Sequence, residues 1–135
     1  MSEILVNKLT GTSTAGSILV TGEGNSTTTN LQQGLAKAWG SLNGTGTIAA
    51  KGGFSIASYV DGGTGIYTVS VSSAFDSTNN IAPKVSAGNQ ASSPGTRIAS
   101  IAVNSTTAFK SDVRDENGSH QDVEFWYVSA HGDLA

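Results

Sequence analysis

The sequence predicts an all-β protein built from antiparallel strands, and three observations lead to this fold class. Only 13% of the residues are charged and only 2 are proline, whereas Ser, Thr and Gly are abundant. Such a composition is typical of rigid β proteins, whose side chains pack on pleated faces. The pairs Asn43-Gly44 and Asp61-Gly62 are hairpin signals, because tight turns between twisted strands need residues that tolerate positive φ. Finally, Tyr67, Val69 and Val71 alternate with polar residues, which is the period of a strand with one buried face.

The first 30 residues are predicted to form an arm. Residues 4–9 and 17–21 read as two short strands around a polar turn at residues 10–16. Both strands are apolar on both faces, which a small monomer would struggle to cover. We therefore expect residues 1–30 to anchor the chain or join copies of it, through Ile4, Leu5, Val6, Ile18, Leu19 and Val20. Residues 25–30 read as a linker with helix-capping residues, followed by a brief helix that Gly34 interrupts.

Residues 31–135 are predicted to form a β-sandwich head. Its clearest part, residues 35–72, reads as a meander of four strands at residues 36–42, 47–51, 54–60 and 66–72, with one break at Gly52-Gly53. Four more strands follow at residues 81–87, 97–103, 108–114 and 122–130. About eight short strands at this spacing are typical of sandwiches and barrels. The loop at residues 88–95 and the turn at residues 115–118 are expected to be exposed.

Several classes of protein are disfavoured. The net charge is −3 and the 7 Lys and Arg are scattered, so we expect no nucleic-acid partner. The absence of cysteine excludes disulfides, thiolate catalysis and cysteine-based zinc sites. No stretch approaches the roughly 20 apolar residues of a membrane span, and the N-terminus does not read as a signal peptide, so neither membrane insertion nor general secretory export is expected. No nucleophile elbow or dinucleotide fingerprint occurs, which predicts no enzyme.

The histidines and carboxylates do not predict a metal or cofactor. His120 and His131 each precede a carboxylate by two residues, but about 35 Å of extended strand would separate them. The acidic residues around the turn at residues 115–118 read as a solvated hairpin tip, since only a fragment of a calcium-loop pattern is present.

Three consecutive aromatic residues, Phe125, Trp126 and Tyr127, stand on the last strand. Neighbouring strand residues point to opposite faces, so one face is core and the other needs cover by a second sheet, another subunit or a ligand. We expect a surface or intersubunit contact here, with a stacking platform for a sugar as the alternative.

The turn-rich motifs resemble a known family. They are LQQGLAKAW at residues 31–39, LNGTGTI at 42–48, SIAS at 55–58, DGGTG at 61–65 and YTV at 67–69, with VNK near the N-terminus and GD near the C-terminus. This set is similar to small tail-fibre-like virion structural proteins of marine bacteriophages that infect cyanobacteria and pelagic bacteria.

The resemblance implies a homotrimer with a β-sandwich or jelly-roll-like head, on the surface of a virion made in the host cytoplasm. Its partners would be its own copies, other virion proteins and a host surface glycan, and it carries no catalytic residues to transfer. The expected role is a fibre component or host-recognition tip. A capsid decoration or head-fibre protein is the alternative, and a carbohydrate-binding module with Trp126 or Tyr127 as its platform is an alternative of another class.

Overall fold

The computed structural model describes residues 4–11, 18–21, 28–88 and 95–135. The chain divides into two units, Met1–Leu35 and Ala36–Ala135. The predicted loop at residues 88–95 and the predicted turn at residues 10–16 fall mostly outside the described residues.

The first unit contains one small sheet. Strand β1 (Leu19–Thr21) pairs antiparallel with β2 (Thr28–Asn30), and a four-residue helix, α1 (Leu31–Gly34), follows at once. The N–H of Leu31 donates to the carbonyl of Ile18 at 2.9 Å. The brief helix before Gly34 is thus confirmed, but the linker expected up to residue 30 ends in a strand, because β-branched threonines pair well with β1. The strand predicted at residues 4–9 is wrong, since within the described ranges this run forms no strand and pairs with none.

The second unit consists of eight strands in two four-stranded antiparallel sheets. Sheet I has the order β4-β3-β10-β7 and sheet II the order β5-β6-β9-β8. The strands are β3 (Ala38–Asn43), β4 (Ala49–Phe54), β5 (Ile56–Asp61), β6 (Ile66–Val71), β7 (Ile81–Gly88), β8 (Ile98–Ser105), β9 (Ala108–Arg114) and β10 (Phe125–Gly132), with a 3₁₀ turn at Thr78–Asn80 before β7.

The core lies between the two sheets. The largest fully buried side chains include Trp126 and Leu42 from sheet I and Tyr67, Val69 and Phe109 from sheet II. Trp126 meets the edges of two sheet II rings, with centroids 5.9 Å from Tyr67 and 6.2 Å from Tyr59. The predicted alternation on β6 is confirmed, because Tyr67, Val69 and Val71 are all buried. The all-β, antiparallel, sandwich-like architecture is therefore confirmed, while the jelly-roll connection and the homotrimer stay predictions.

The expected four-stranded meander is in fact two hairpins in two sheets. Strands β3 and β4 pair in sheet I, and β5 and β6 pair in sheet II. The chain passes from one sheet to the other at Ser55, which has a φ of 57°. A left-handed residue reverses the chain sharply, so a single residue is enough for the crossing.

The sequence suggested that Gly52-Gly53 breaks a strand, but both residues lie inside β4. Gly53 is opposite Gly40 on β3, and side chains are excluded at both positions. A Cβ on Gly53 would lie 3.0 Å from the Trp39 carbonyl oxygen, and a Cβ on Gly40 would collide with the Tyr59 hydroxyl. Gly40 thus leaves space for the Tyr59 side chain, and Gly53 for the Trp39 backbone and Ile56. The turn-like pattern of Gly52-Gly53 conceals this packing requirement.

Candidate functional site

Large aromatic side chains are exposed on the outer face of sheet I. Trp39 and Phe54 lie directly opposite each other on β3 and β4, and are 48% and 57% exposed. Tyr127 on β10 is 45% exposed, and its ring stacks on that of Phe125 with centroids 6.3 Å apart and planes 12° apart. We call these four residues the aromatic face. Exposed aromatic clusters of this kind mark contact surfaces.

One cation lies on the aromatic face. The register shifts between Ser41 and Leu42, so Lys51 on β4 has no partner residue on β3. Its ammonium lies 3.6 Å from the centroid of the Phe125 ring and 3.6 Å from a carboxylate oxygen of Glu124. The bulge therefore places a cation–π contact at the end of the face near Phe125.

Trp126 corrects part of the sequence-based expectation, because it is not a surface residue. It is completely buried, and its indole Nε1–H donates to the Ser111 hydroxyl oxygen at 2.9 Å. It points inward because β10 alternates and the inner face carries Trp126, Val128 and Ala130. Of the three consecutive aromatics, only Phe125 and Tyr127 reach the outer face. Trp39 and Phe54, which the sequence analysis did not single out, complete it.

A cleft opens beside this face, between the edge strands β4 and β5. Its volume is about 460 Å³, and it is lined by Ala50, Lys51, Gly52, Gly53, Ile56, Ala57, Ser58 and Tyr59. The Tyr59 hydroxyl is buried without a well-formed hydrogen bond, although it faces the backbone amide of Ser41. Burial raises the pKa of Tyr59, and the Ser41 amide opposes this rise.

A second tyrosine, Tyr67, contacts three loops through its hydroxyl group inside the head. The Tyr67 hydroxyl accepts from the N–H of Val123 at 3.2 Å, and faces an Asp122 carboxylate oxygen at 3.3 Å and the Gly44 carbonyl oxygen at 3.4 Å. The same Asp122 oxygen accepts from the N–H of Gly65 at 2.8 Å. Burial and the nearby carboxylate raise the pKa of Tyr67 to about 12. A neutral, fully engaged hydroxyl fixes loops in place and is a poor acid or base at neutral pH.

Several of the remaining titratable residues make ion pairs or hydrogen bonds at the surface. Asp112 accepts from Arg114 Nη2 at 2.8 Å and lies 3.2 Å from His120 Nδ1. Asp115 accepts from the N–H groups of Asn117 and Ser119, which is the expected hairpin tip. His131 lies on β10, on the outer face of sheet I. Within the described ranges, no group of three or more His, Asp or Glu residues is placed to hold a metal ion.

The arm residues named from the sequence are largely at the surface. Ile4 and Leu5 are each 84% exposed, and Val6 is 59% exposed. Leu19 and Val20 are exposed on β1, while Ile18 is half-buried. In the part of the chain that the structure describes, no helix is long and apolar enough to cross a membrane.

Comparison of the chain with models of protein families, with curated proteins and with solved structures finds no match.

Proposed function

We propose that this chain is a non-enzymatic structural protein on the surface of a bacteriophage particle. Two surfaces support an assembly role: the aromatic face of the head and the apolar arm. The turn-rich motifs that resemble tail-fibre-like virion proteins support the virion context. The described clusters of titratable residues are engaged in structural contacts, and none combines a nucleophile with a base.

The exposure of the arm carries the proposal. Ile4, Leu5, Val6 and Leu9 lie close together in sequence, and each is more than half exposed. Burying one such side chain is worth about 1.5–3 kcal/mol, so four of them left in water forgo a large stabilisation. A chain with only 13% charged residues has few charges to keep such a surface soluble. A self-associating protein or a component of a larger particle recovers this energy.

The proposed assembly is a homotrimer in which the arm, residues 1–30, anchors or trimerises the chain. The head, which we propose has a jelly-roll-like sandwich fold, would face outward and present its loops. A tail-fibre-like component or host-recognition tip is the first assignment, with other virion proteins as partners. A capsid decoration or head-fibre protein is the alternative assignment, and electron cryo-microscopy of the particle would separate the two.

Light scattering after size exclusion, together with native mass spectrometry, tests the assembly. We expect a trimer of the 13.7 kDa chain. The triple substitution Ile4→Ser, Leu5→Ser and Val6→Ser should convert it to smaller species. The control Ile98→Ser removes an apolar side chain of the head that is 57% exposed, close to the 59% of Val6, and should leave the trimer intact. A wild-type chain that is monomeric at micromolar concentration would contradict the proposal.

The aromatic face favours one second candidate, a carbohydrate-binding role toward a host surface glycan. Tyr127 and Phe125 form a flat stacked pair, and flat aromatic surfaces contact the apolar faces of sugars. On a glycan array, Tyr127→Ala should weaken any binding about tenfold, while Val60→Ala, on an exposed residue of β5, should not. Binding that Tyr127→Ala leaves unchanged would exclude this platform.

A further inference from the structure

The edge of the sandwich at β4 and β5 is open to an additional strand. Strand β4 is the last strand of sheet I and β5 is the last strand of sheet II. The chain joins them through Ser55 alone, so their free edges lie side by side with the 460 Å³ cleft between them. A free strand edge presents unpaired N–H and C=O groups that an extended segment can pair with.

Strand β4 carries little of the protection that such edges normally have. All six of its residues are exposed, it has no proline, and Lys51 is its one charge. Gly52 and Gly53 leave the backbone uncovered. The opposite edge of sheet I, β7, instead carries Pro83 and Lys84, two residue types that block strand addition.

Both sides of this edge are apolar. Trp39 and Phe54 lie on the outer side, and Ile56 and Tyr59 lie on the cleft side. Because side chains alternate along a strand, a strand added to β4 would point every second residue toward each side. The matching segment must therefore be apolar on both faces, which is unusual for a strand of a soluble protein.

Residues 4–9 have this pattern, and in the part of the chain that the structure describes they pair with no strand. Ile4 and Val6 would share one face of a strand, and Leu5 and Leu9 the other, and all four are exposed. We propose that residues 4–9 of one copy add to β4 of a second copy as the fifth strand of sheet I. One apolar face then covers Trp39 and Phe54, and the other enters the cleft.

This inference rests on the proposed homotrimer and names the site that receives the arm. At about 25 cal/mol per Å², burying four such side chains removes on the order of 240–480 Å² of apolar surface from water. In a closed ring each copy gives one arm and receives one, so each copy buries about twice this area. This total is divided between two interfaces, so each interface buries about 240–480 Å² per partner, which is below the roughly 800 Å² per partner of a standard stable interface, and the ring depends on both contacts of every copy.

Cross-linking tests the site directly, because the chain has no cysteine of its own. Val6→Cys and Gly52→Cys variants, one of them isotope-labelled, are refolded together and treated with a short bismaleimide. The site at Gly52 has room for a side chain, since the nearest atom is 4.0 Å from an added Cβ. We expect at least about tenfold more mixed dimer than when Val6→Cys is paired with Ala102→Cys, an exposed control on β8.

A charge placed in the cleft provides a second measurement. Ala57→Asp should raise the trimer dissociation constant at least about tenfold, because an unpaired carboxylate would be buried against the arm. Ser100→Asp, on the outer face of sheet II, is the matched control and should not change it. A wild-type trimer with equal cross-linking at Gly52 and Ala102 overturns this inference and leaves the proposed function standing, whereas a monomeric wild-type chain overturns both.

Discussion

Tyr67, which is fully buried, and Tyr59, which is half-buried, make similar ring contacts but differ in hydrogen bonding, and this difference predicts their contributions to stability. Both rings meet Trp126 edge-on at about the same distance. The Tyr67 hydroxyl accepts from the Val123 N–H and faces two acceptors, whereas the Tyr59 hydroxyl is buried without a well-formed hydrogen bond. In Tyr67→Phe the buried Val123 N–H loses its partner, which costs about 1–3 kcal/mol. Tyr59→Phe removes no such bond and should change the unfolding free energy by less than about 0.5 kcal/mol.

Urea unfolding followed by tryptophan fluorescence measures both variants. The head has about 100 residues, so 2 kcal/mol corresponds to a decrease of about 8–16 °C in melting temperature. Equal losses in the two variants, or a larger loss in Tyr59→Phe, would refute the reasoning, because the measured order would then not follow the hydrogen bonds.

The pKa of Tyr67 predicts how the unfolding free energy depends on pH. The folded pKa of Tyr67 is about 12, above the value of 10.0 in an unfolded chain. Folding therefore favours the protonated hydroxyl, and this stabilisation is fully present below pH 10 and is lost as the pH rises toward 12. A shift of this size corresponds to about 2–3 kcal/mol. The wild type should lose this stability relative to Tyr67→Phe between about pH 10 and pH 12, and parallel curves for the two proteins would contradict the assignment.

Substitutions at four further positions test the packing of the head by urea unfolding. Gly44→Ala should cost about 1–3 kcal/mol, because the new Cβ would collide with the hydroxyl and ring of Tyr67, and a neutral result would mean that the loop can move aside. Trp126→Phe should cost about 2–4 kcal/mol, through a cavity and the loss of the hydrogen bond that the Ser111 hydroxyl oxygen accepts, and Ser111→Ala should cost less. Ser55→Gly should stabilise the head by about 0.5–1 kcal/mol because φ is positive there, and Ser55→Ala, which keeps the strain, should not.

The sequence pattern predicts the features of this fold that depend on residues close together in the chain, namely strand alternation and turns. The alternation on β6 identifies its inner face, since one buried face requires period two. The hairpins at Asn43 and Asp61 follow from turn chemistry, as both side chains bond to backbone N–H groups two residues ahead. The strand at Ala108–Arg114 was predicted at both ends, with Phe109 and Val113 inward.

The features that the sequence did not reveal depend on distant partners. Gly52-Gly53 looks like a turn, yet these residues continue β4, where Gly53 lies close to the Trp39 carbonyl and to Ile56. The chain crosses between the sheets at Ser55, which has a positive φ, and serine is not a residue type that predicts this conformation. Asp122 reads as one more solvated carboxylate, but it meets Tyr67, which is 55 residues away.

The aromatic face is another feature that the sequence pattern predicts only in part, and it is part of the surface proposed for assembly. Among three consecutive aromatics, pattern indicates that some must point outward, but only the strand order shows which ones and what lies beside them. In sheet I, β3 lies beside β10 and β4 lies beyond β3, so Trp39 and Phe54 extend the surface begun by Phe125 and Tyr127 toward the open edge. An apolar surface that continues to an unprotected strand edge is costly for a monomer, because it favours association on both the face and the edge. A protein that uses both in a defined assembly removes this liability, and the apolar arm at residues 4–9 is the segment of this chain whose two faces match them.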